Sequence, residues 1–166
     1  MDNKTNLVYH LPRWNEIPEI DLYIDQVVSL LEKYLEHFIE SDNLNDGKLI
    51  TKTMINNYVK HNVLKSPINK KYGREHIASL FVIFILKQIY SIDEIKKLIT
   101  LAIDTSETEH AYDRFCSELE NAINMTFSGD NYLESSKLSK EQYILRNVVQ
   151  SFANKLYVQK TFLQKS

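Results

Sequence analysis

The sequence predicts an all-α protein of about six helices with at most one short β-hairpin. Two observations carry this. Apolar residues recur at steps of three and four along nearly the whole chain, the repeat of an amphipathic helix. Glycine and proline occur only three times each in 166 residues, too seldom to punctuate many short strands. A chain of this length buries a sizeable core without covalent staples. Its single cysteine, Cys116, forms no intrachain disulfide, so nothing points to secretion. Met1 to His10 lacks an apolar run of signal-peptide length. The longest apolar stretch, Ile77 to Leu86, is broken only by Ser79 and is about half a membrane span. The expectation is a cytoplasmic protein without a membrane partner.

The elements follow in order. Leu11-Pro12-Arg13-Trp14 to Pro18 reads as an extended lead-in, with Trp14 anchored at the edge of the core. A first helix is expected from Asp21, with Ile24, Val27, Val28, Leu31, Leu35 and Phe38 on one stripe. Asp42 to Gly47 is turn-like. A second helix starts at Thr51, a good N-cap, with Ile55, Tyr58, Val59 and Val63 inward. Ser66-Pro67 is its expected stop, and Asn69-Lys70-Lys71-Tyr72-Gly73 suits a tight hairpin. The third helix, Arg74 to about Ile89, is apolar nearly all round and should be the buried centre. Ser91-Ile92-Asp93-Glu94 is a capping box, and it opens a fourth helix with Ile92, Ile95, Leu98, Ile99 and Ala102 inward. A fifth helix carries Tyr112, Phe115, Cys116, Leu119, Ala122, Ile123 and Phe127 on one face and ends at Ser128-Gly129-Asp130-Asn131. Ser139 and Gln142 form a second capping box for a last helix running to about Gln164, with Leu145, Val148, Val149, Phe152, Leu156 and Tyr157 inward.

The net charge of −2 conceals segregation along the chain. Residues 15–46 hold nine acids against Lys33, whereas residues 47–76 hold seven bases against Glu75. Residues 104–136 are acidic again, and residues 137–166 basic. A local charge of +6 within an acidic protein suggests an anion-binding surface, the alternative being a solvated charged face. The same segment places Thr53, Asn56, Asn57 and Lys60 on the outward face of the second helix, at helical spacing. Asparagine is a mediocre helix former, and two adjacent ones on an exposed face suit hydrogen bonding to a partner.

Between Leu49 and Ile99 the residues resemble the winged helix-turn-helix domain of the mercury-resistance-regulator (MerR-like) family. Thr51 stands at the cap of the recognition helix, Ile55-Asn56-Asn57-Tyr58 at its core and Asn62-Val63-Leu64 at its close. Lys70-Lys71-Tyr72-Gly73-Arg74-Glu75 occupies the end of the wing, and Tyr90-Ser91-Ile92-Asp93-Glu94-Ile95 mirrors a later helix restart. Asn56 and Asn57 replace the Arg and first Tyr of the family pattern, and the wing is shorter. The whole chain, including Leu-Pro-Arg-Trp at 11–14 and Lys52-Thr53-Met54-Ile55-Asn56-Asn57-Tyr58, is more closely similar to an uncharacterised bacterial family, domain of unknown function 1836. That similarity implies a bacterial source and supplies no activity.

These readings divide the chain into a lead-in at 1–20, a MerR-like winged helix-turn-helix at 21–103, and a C-terminal helical region at 104–166 suited to dimerisation or effector binding. The expected function is a DNA-binding transcriptional regulator with a recognition helix at about 51–63 and a basic wing at about 66–74. Lys52, Lys60, Lys70, Lys71 and Arg74 would neutralise phosphates. Asn56 and Asn57 would read base edges, since an Asn amide pairs bidentately with adenine, and Thr53 shares their face. Tyr72 would brace the wing or hydrogen-bond a phosphate. The alternative is a non-enzymatic protein-interaction module on the same fold. No catalytic pattern, phosphate loop or close His/Cys ligand pair is present, so no enzyme activity, metal or cofactor is expected. A homodimer is expected from the broad apolar faces of the last two helices.

Overall fold

A computed structural model of the chain describes residues 9–40, 47–130 and 137–164. The turn expected at Asp42 to Gly47 falls almost wholly outside these residues, as do Met1 to Val8 and Asn131. Six α-helices carry the described chain: α1 (Ile24–Leu35), α2 (Lys52–Lys60), α3 (Arg74–Leu86), α4 (Ile92–Thr105), α5 (Thr108–Ser128) and α6 (Lys140–Val158). A two-stranded antiparallel sheet joins β1 (Leu22–Tyr23) to β2 (Lys71–Tyr72), in register Leu22 with Tyr72 and Tyr23 with Lys71. The helical class is as expected. Among the described residues no helix is long and apolar enough to cross a membrane.

Helix α3 is the hub. Ile77, Leu80, Phe81, Ile83 and Ile85 are fully buried, and one continuous core extends from Tyr9 to Leu156 across the lead-in and all six helices. The lead-in is therefore more than a tether. Leu11 and Ile17 are fully buried, and Trp14 lies in a 3-10 turn, edge-on to Tyr112 at 6.5 Å. The lead-in is tied to α5 at several points: among them, Trp14 N donates to Asp113 at 2.8 Å, Tyr112 Oη donates to the Pro12 carbonyl at 2.6 Å, and Arg13 pairs with Glu120.

The caps fall where the sequence puts them. Thr51 Oγ1 accepts from Met54 N, Ser91 Oγ from Glu94 N and Ser139 Oγ from Gln142 N. Glu94 reaches back to the Ser91 amide, and that hydrogen bond holds its carboxyl below the usual carboxylate range.

Several boundaries differ from expectation. Helix α1 starts at Ile24 rather than Asp21, because Leu22 and Tyr23 are drawn into a strand by a segment fifty residues later. Long-range pairing overrides local helical periodicity there. Helix α2 stops at Lys60, well before Ser66-Pro67. Asn62 adopts a left-handed φ of 59°, and Val63 N donates to the Tyr58 carbonyl while Asn62 N donates to that of Val59. This is a Schellman stop with asparagine in the position glycine commonly takes. Gly129 closes α5 in the same way, with φ 79°. Helix α4 buries only Ile95 fully, and Ala102 is exposed. The apolar faces of α5 and α6 pack against each other, burying Leu119, Ile123, Val149 and Phe152. The surface that suggests a dimer is thus largely consumed within one chain. Tyr157 is exposed beside Val158, Phe162 and Leu163 at the end of α6 and its following π turn, Gln159–Leu163.

Candidate nucleic-acid interface

Helix α2 has two unlike faces. Ile55 and Tyr58 are buried, and Tyr58 stacks edge-on to Phe84 of α3 at 5.3 Å. Burial pushes the Tyr58 hydroxyl pKa up to about 12, since a phenolate there would lose its hydration. These anchors fix the rotation of the helix. Lys52, Thr53, Asn56, Asn57 and Lys60 consequently all lie exposed on the other side. No acidic residue occurs in α2.

The chain then turns back on itself. Ile68 and Lys71 exchange both backbone hydrogen bonds at 3.0 Å, leaving Asn69 (φ 52°) and Lys70 (φ 63°) as a two-residue loop. Two successive left-handed residues make a type I′ turn, whose twist matches that of paired strands. Asparagine tolerates this conformation. Lysine does not readily, and a left-handed non-glycine residue costs of order 1–2 kcal/mol. The strained position presents Lys70, exposed, at the tip of the turn.

Both basic segments converge on the start of α1. Lys52 Nζ lies 2.5 Å from Asp25 Oδ1, and Lys71 Nζ sits 5.1 Å above the ring of Tyr23. Asp25 and Tyr23 are two residues apart, so the first turn of α2 and strand β2 flank one short piece of chain. The Lys52–Asp25 pair is solvent-exposed on both sides. Such pairs contribute little to stability, and a phosphate can take the ammonium at little cost. Lys65, 82 % exposed and 3.7 Å from Glu75, adds to the same basic stretch. Residue spacing alone does not single it out, although the local charge includes it.

Two of the nine candidate residues face elsewhere. Tyr72 is buried, edge-on to His76 at 5.6 Å. It braces the turn and is not placed to touch a phosphate. Arg74 points inward: its Nε and Nη2 both donate to the Ile17 carbonyl, at 3.1 and 2.9 Å. Its guanidinium also lies 5.8 Å from the Trp14 ring and 3.7 Å from Glu19. This departs from the phosphate-binding role expected from charge alone. A guanidinium at the first residue of α3 finds an unpaired lead-in carbonyl close by, and local sequence cannot reveal that neighbour. His76 completes the support. Its Nδ1 accepts from Gly73 N and its Nε2 donates to the Ser66 carbonyl, both at 3.0 Å. One ring thereby clamps both ends of the segment that carries the turn.

The family model of a domain of unknown function, DUF1836, matches residues 12–115. The chain belongs to the DUF1836 family. The matched span opens at Pro12 in the lead-in and closes at Phe115 in α5, so all nine candidate residues of this DUF1836 member lie within it. No curated protein and no solved structure matches the chain. Among the described residues of the DUF1836 protein, no group of three His, Cys, Asp or Glu side chains is placed to hold a metal ion.

Proposed function

We propose that this DUF1836 protein is a transcriptional regulator that binds duplex DNA through a MerR-like winged helix-turn-helix. In this reading α2 enters the major groove and the turn at Asn69-Lys70 is the wing. The observation that carries it is the outward face of α2. Lys52, Thr53, Asn56, Asn57 and Lys60 are all exposed there, flanked by a strained lysine-tipped turn in a segment of charge +6. Lys52, Lys60, Lys70 and Lys71 then neutralise phosphates, and the two asparagine amides meet base edges. Tyr72 and Arg74 hold the wing in place from behind.

Two-fold symmetry suits such a protein, because paired half-sites multiply specificity. The exposed apolar end of the chain, at Val158, Phe162 and Leu163, is the surface we assign to a homodimer. Light scattering of the purified protein at high micromolar concentration checks this, and a monomer there rules it out.

The decisive assay is retention of pooled genomic fragments at roughly 50 mM salt, where phosphate contacts are strongest. The wild type should retain fragments. The double variant Lys70→Ala/Lys71→Ala should retain fewer, with a salt dependence flatter by roughly one log–log unit per lost contact. Absence of retention by the wild type would leave the protein-interaction reading in its place.

A further inference from the structure

A cavity of about 300 Å³ opens between α3, α4, α5 and the start of α6, and no residue of α2 lines it. Its wall is apolar: Val82 and Leu86 from α3, Leu98 and Ile99 from α4, Phe115 from α5 and Leu145 from α6. The cavity exists because α4 stands off. Ile95 is its only fully buried side chain, and small residues lie where neighbouring helices would otherwise interlock: Ala78, Ala102 and Ala111. Polar groups are a minority of the lining: Ser79 on α3, Thr105 to Thr108 between α4 and α5, Arg114 on α5, and Ser139 to Gln142 at the start of α6.

We propose that this cavity binds a small, compact apolar molecule of two-ring aromatic or equivalent branched-aliphatic bulk. Size sets the class of occupant. An apolar protein cavity of roughly 150 Å³ suffices for benzene, and small-molecule sites begin at roughly 300 Å³. Walls from four helices make the site concave, the shape that small-molecule sites take. The wall carries no buried charge, so the body of the ligand needs none, and a single polar end can reach Arg114 or Gln142 at the mouth. Tyr112 backs the cavity with its ring while its hydroxyl is fixed to Pro12, which makes that wall rigid.

The test needs no nucleic acid, so its result is separate from the DNA reading. Prodan, a two-ring naphthalene dye whose emission moves to the blue in apolar surroundings, is titrated into the full-length protein. The expected result is saturable binding at one site per chain. Ala102→Phe and, independently, Ala111→Phe fill the space from opposite walls. Each should weaken dye affinity by about tenfold or more while melting at or above the wild-type temperature. Ile20→Ser, which removes an exposed apolar side chain outside the cavity, should bind like wild type. The proposal is overturned if the wild type shows no saturable binding, or if a folded cavity-filling variant binds the dye unchanged. It is equally overturned if light scattering shows that Ala102→Phe converts a dimer to a monomer, for then a second copy of the chain is the occupant.

Discussion

The hydroxyl of Tyr112 donates a 2.6 Å hydrogen bond to the carbonyl of Pro12, one hundred residues away in sequence, and both groups are buried. This bond closes the lead-in onto α5. Tyr112→Phe removes the donor but keeps the ring, leaving the Pro12 carbonyl with only a weak thiol contact, Cys116 Sγ at 3.9 Å. A buried acceptor left unsatisfied costs about 1–3 kcal/mol. Urea unfolding of the variant should show that loss as a lower midpoint with an unchanged slope.

Arg74 and the interface lysines Lys60 and Lys71 should separate cleanly. Arg74→Ala breaks two hydrogen bonds to Ile17 and uncovers Trp14, so it should lower stability by about 1.5–3 kcal/mol, the range for bonds from charged donors. Lys60→Ala should change stability by no more than about 0.5 kcal/mol, as surface substitutions do, and Lys71→Ala, which gives up the contact with the Tyr23 ring, by no more than about 1 kcal/mol. Thermal melts of the three variants decide the matter, and equal destabilisation would refute the inward role of Arg74.

Lys70 holds a left-handed conformation with φ 63°. Glycine adopts it freely, so Lys70→Gly should stabilise the protein by about 1 kcal/mol. On the DNA reading the same change should lower affinity for every fragment. A variant that melts higher and binds DNA less well is the expected outcome. A variant that melts lower would show that the turn is not strained.

Asn56→Ala or Asn57→Ala should leave stability nearly untouched, since both side chains are exposed. On the DNA reading each should relax base preference at one or two positions, at a cost of about 1–3 kcal/mol on the preferred site alone. Selection from random duplexes, compared between wild type and variant, reads this directly. Uniform weakening across all sequences would instead make these residues phosphate contacts.

Alkali should unfold the protein. Burial raises the pKa of Tyr9, Tyr58, Tyr72 and Tyr112, and that of the Cys116 thiol to about 12. The unfolded chain releases these protons near pH 9 to 10, the ordinary values, and the folded chain does not. Stability is therefore fully present below about pH 9 and falls as pH rises through the folded values. The share of tyrosinate absorbance that comes from these four buried rings should appear only with loss of helical circular dichroism, after that of exposed rings such as Tyr23 and Tyr143, and native Cys116 should resist thiol reagents at neutral pH. Titration of these tyrosines with the helix signal intact would contradict their burial.

Sequence alone determined the elements whose causes are local. The caps at Thr51, Ser91 and Ser139 follow from side chains within three residues of the amides they serve. The all-round apolar character of Ile77 to Leu86 marks the central helix. Likewise, the 3.6-residue repeat puts Asn56 and Asn57 opposite Ile55 and Tyr58, and the tight turn at Asn69-Lys70 was legible from its composition. Tertiary structure decided what depends on distant neighbours. The pairing of Leu22-Tyr23 with Lys71-Tyr72 shortened α1, and the Ile17 carbonyl drew Arg74 inward. The mutual packing of α5 and α6 consumed the apolar faces that suggested a dimer, and the stand-off of α4 left a cavity where Leu98 and Ile99 promised an interior. Backbone hydrogen bonding and side-chain spacing within a helix are set over a few residues. Which carbonyl a guanidinium meets, or which face remains open, is set by chain segments tens of residues apart, and no local pattern records that.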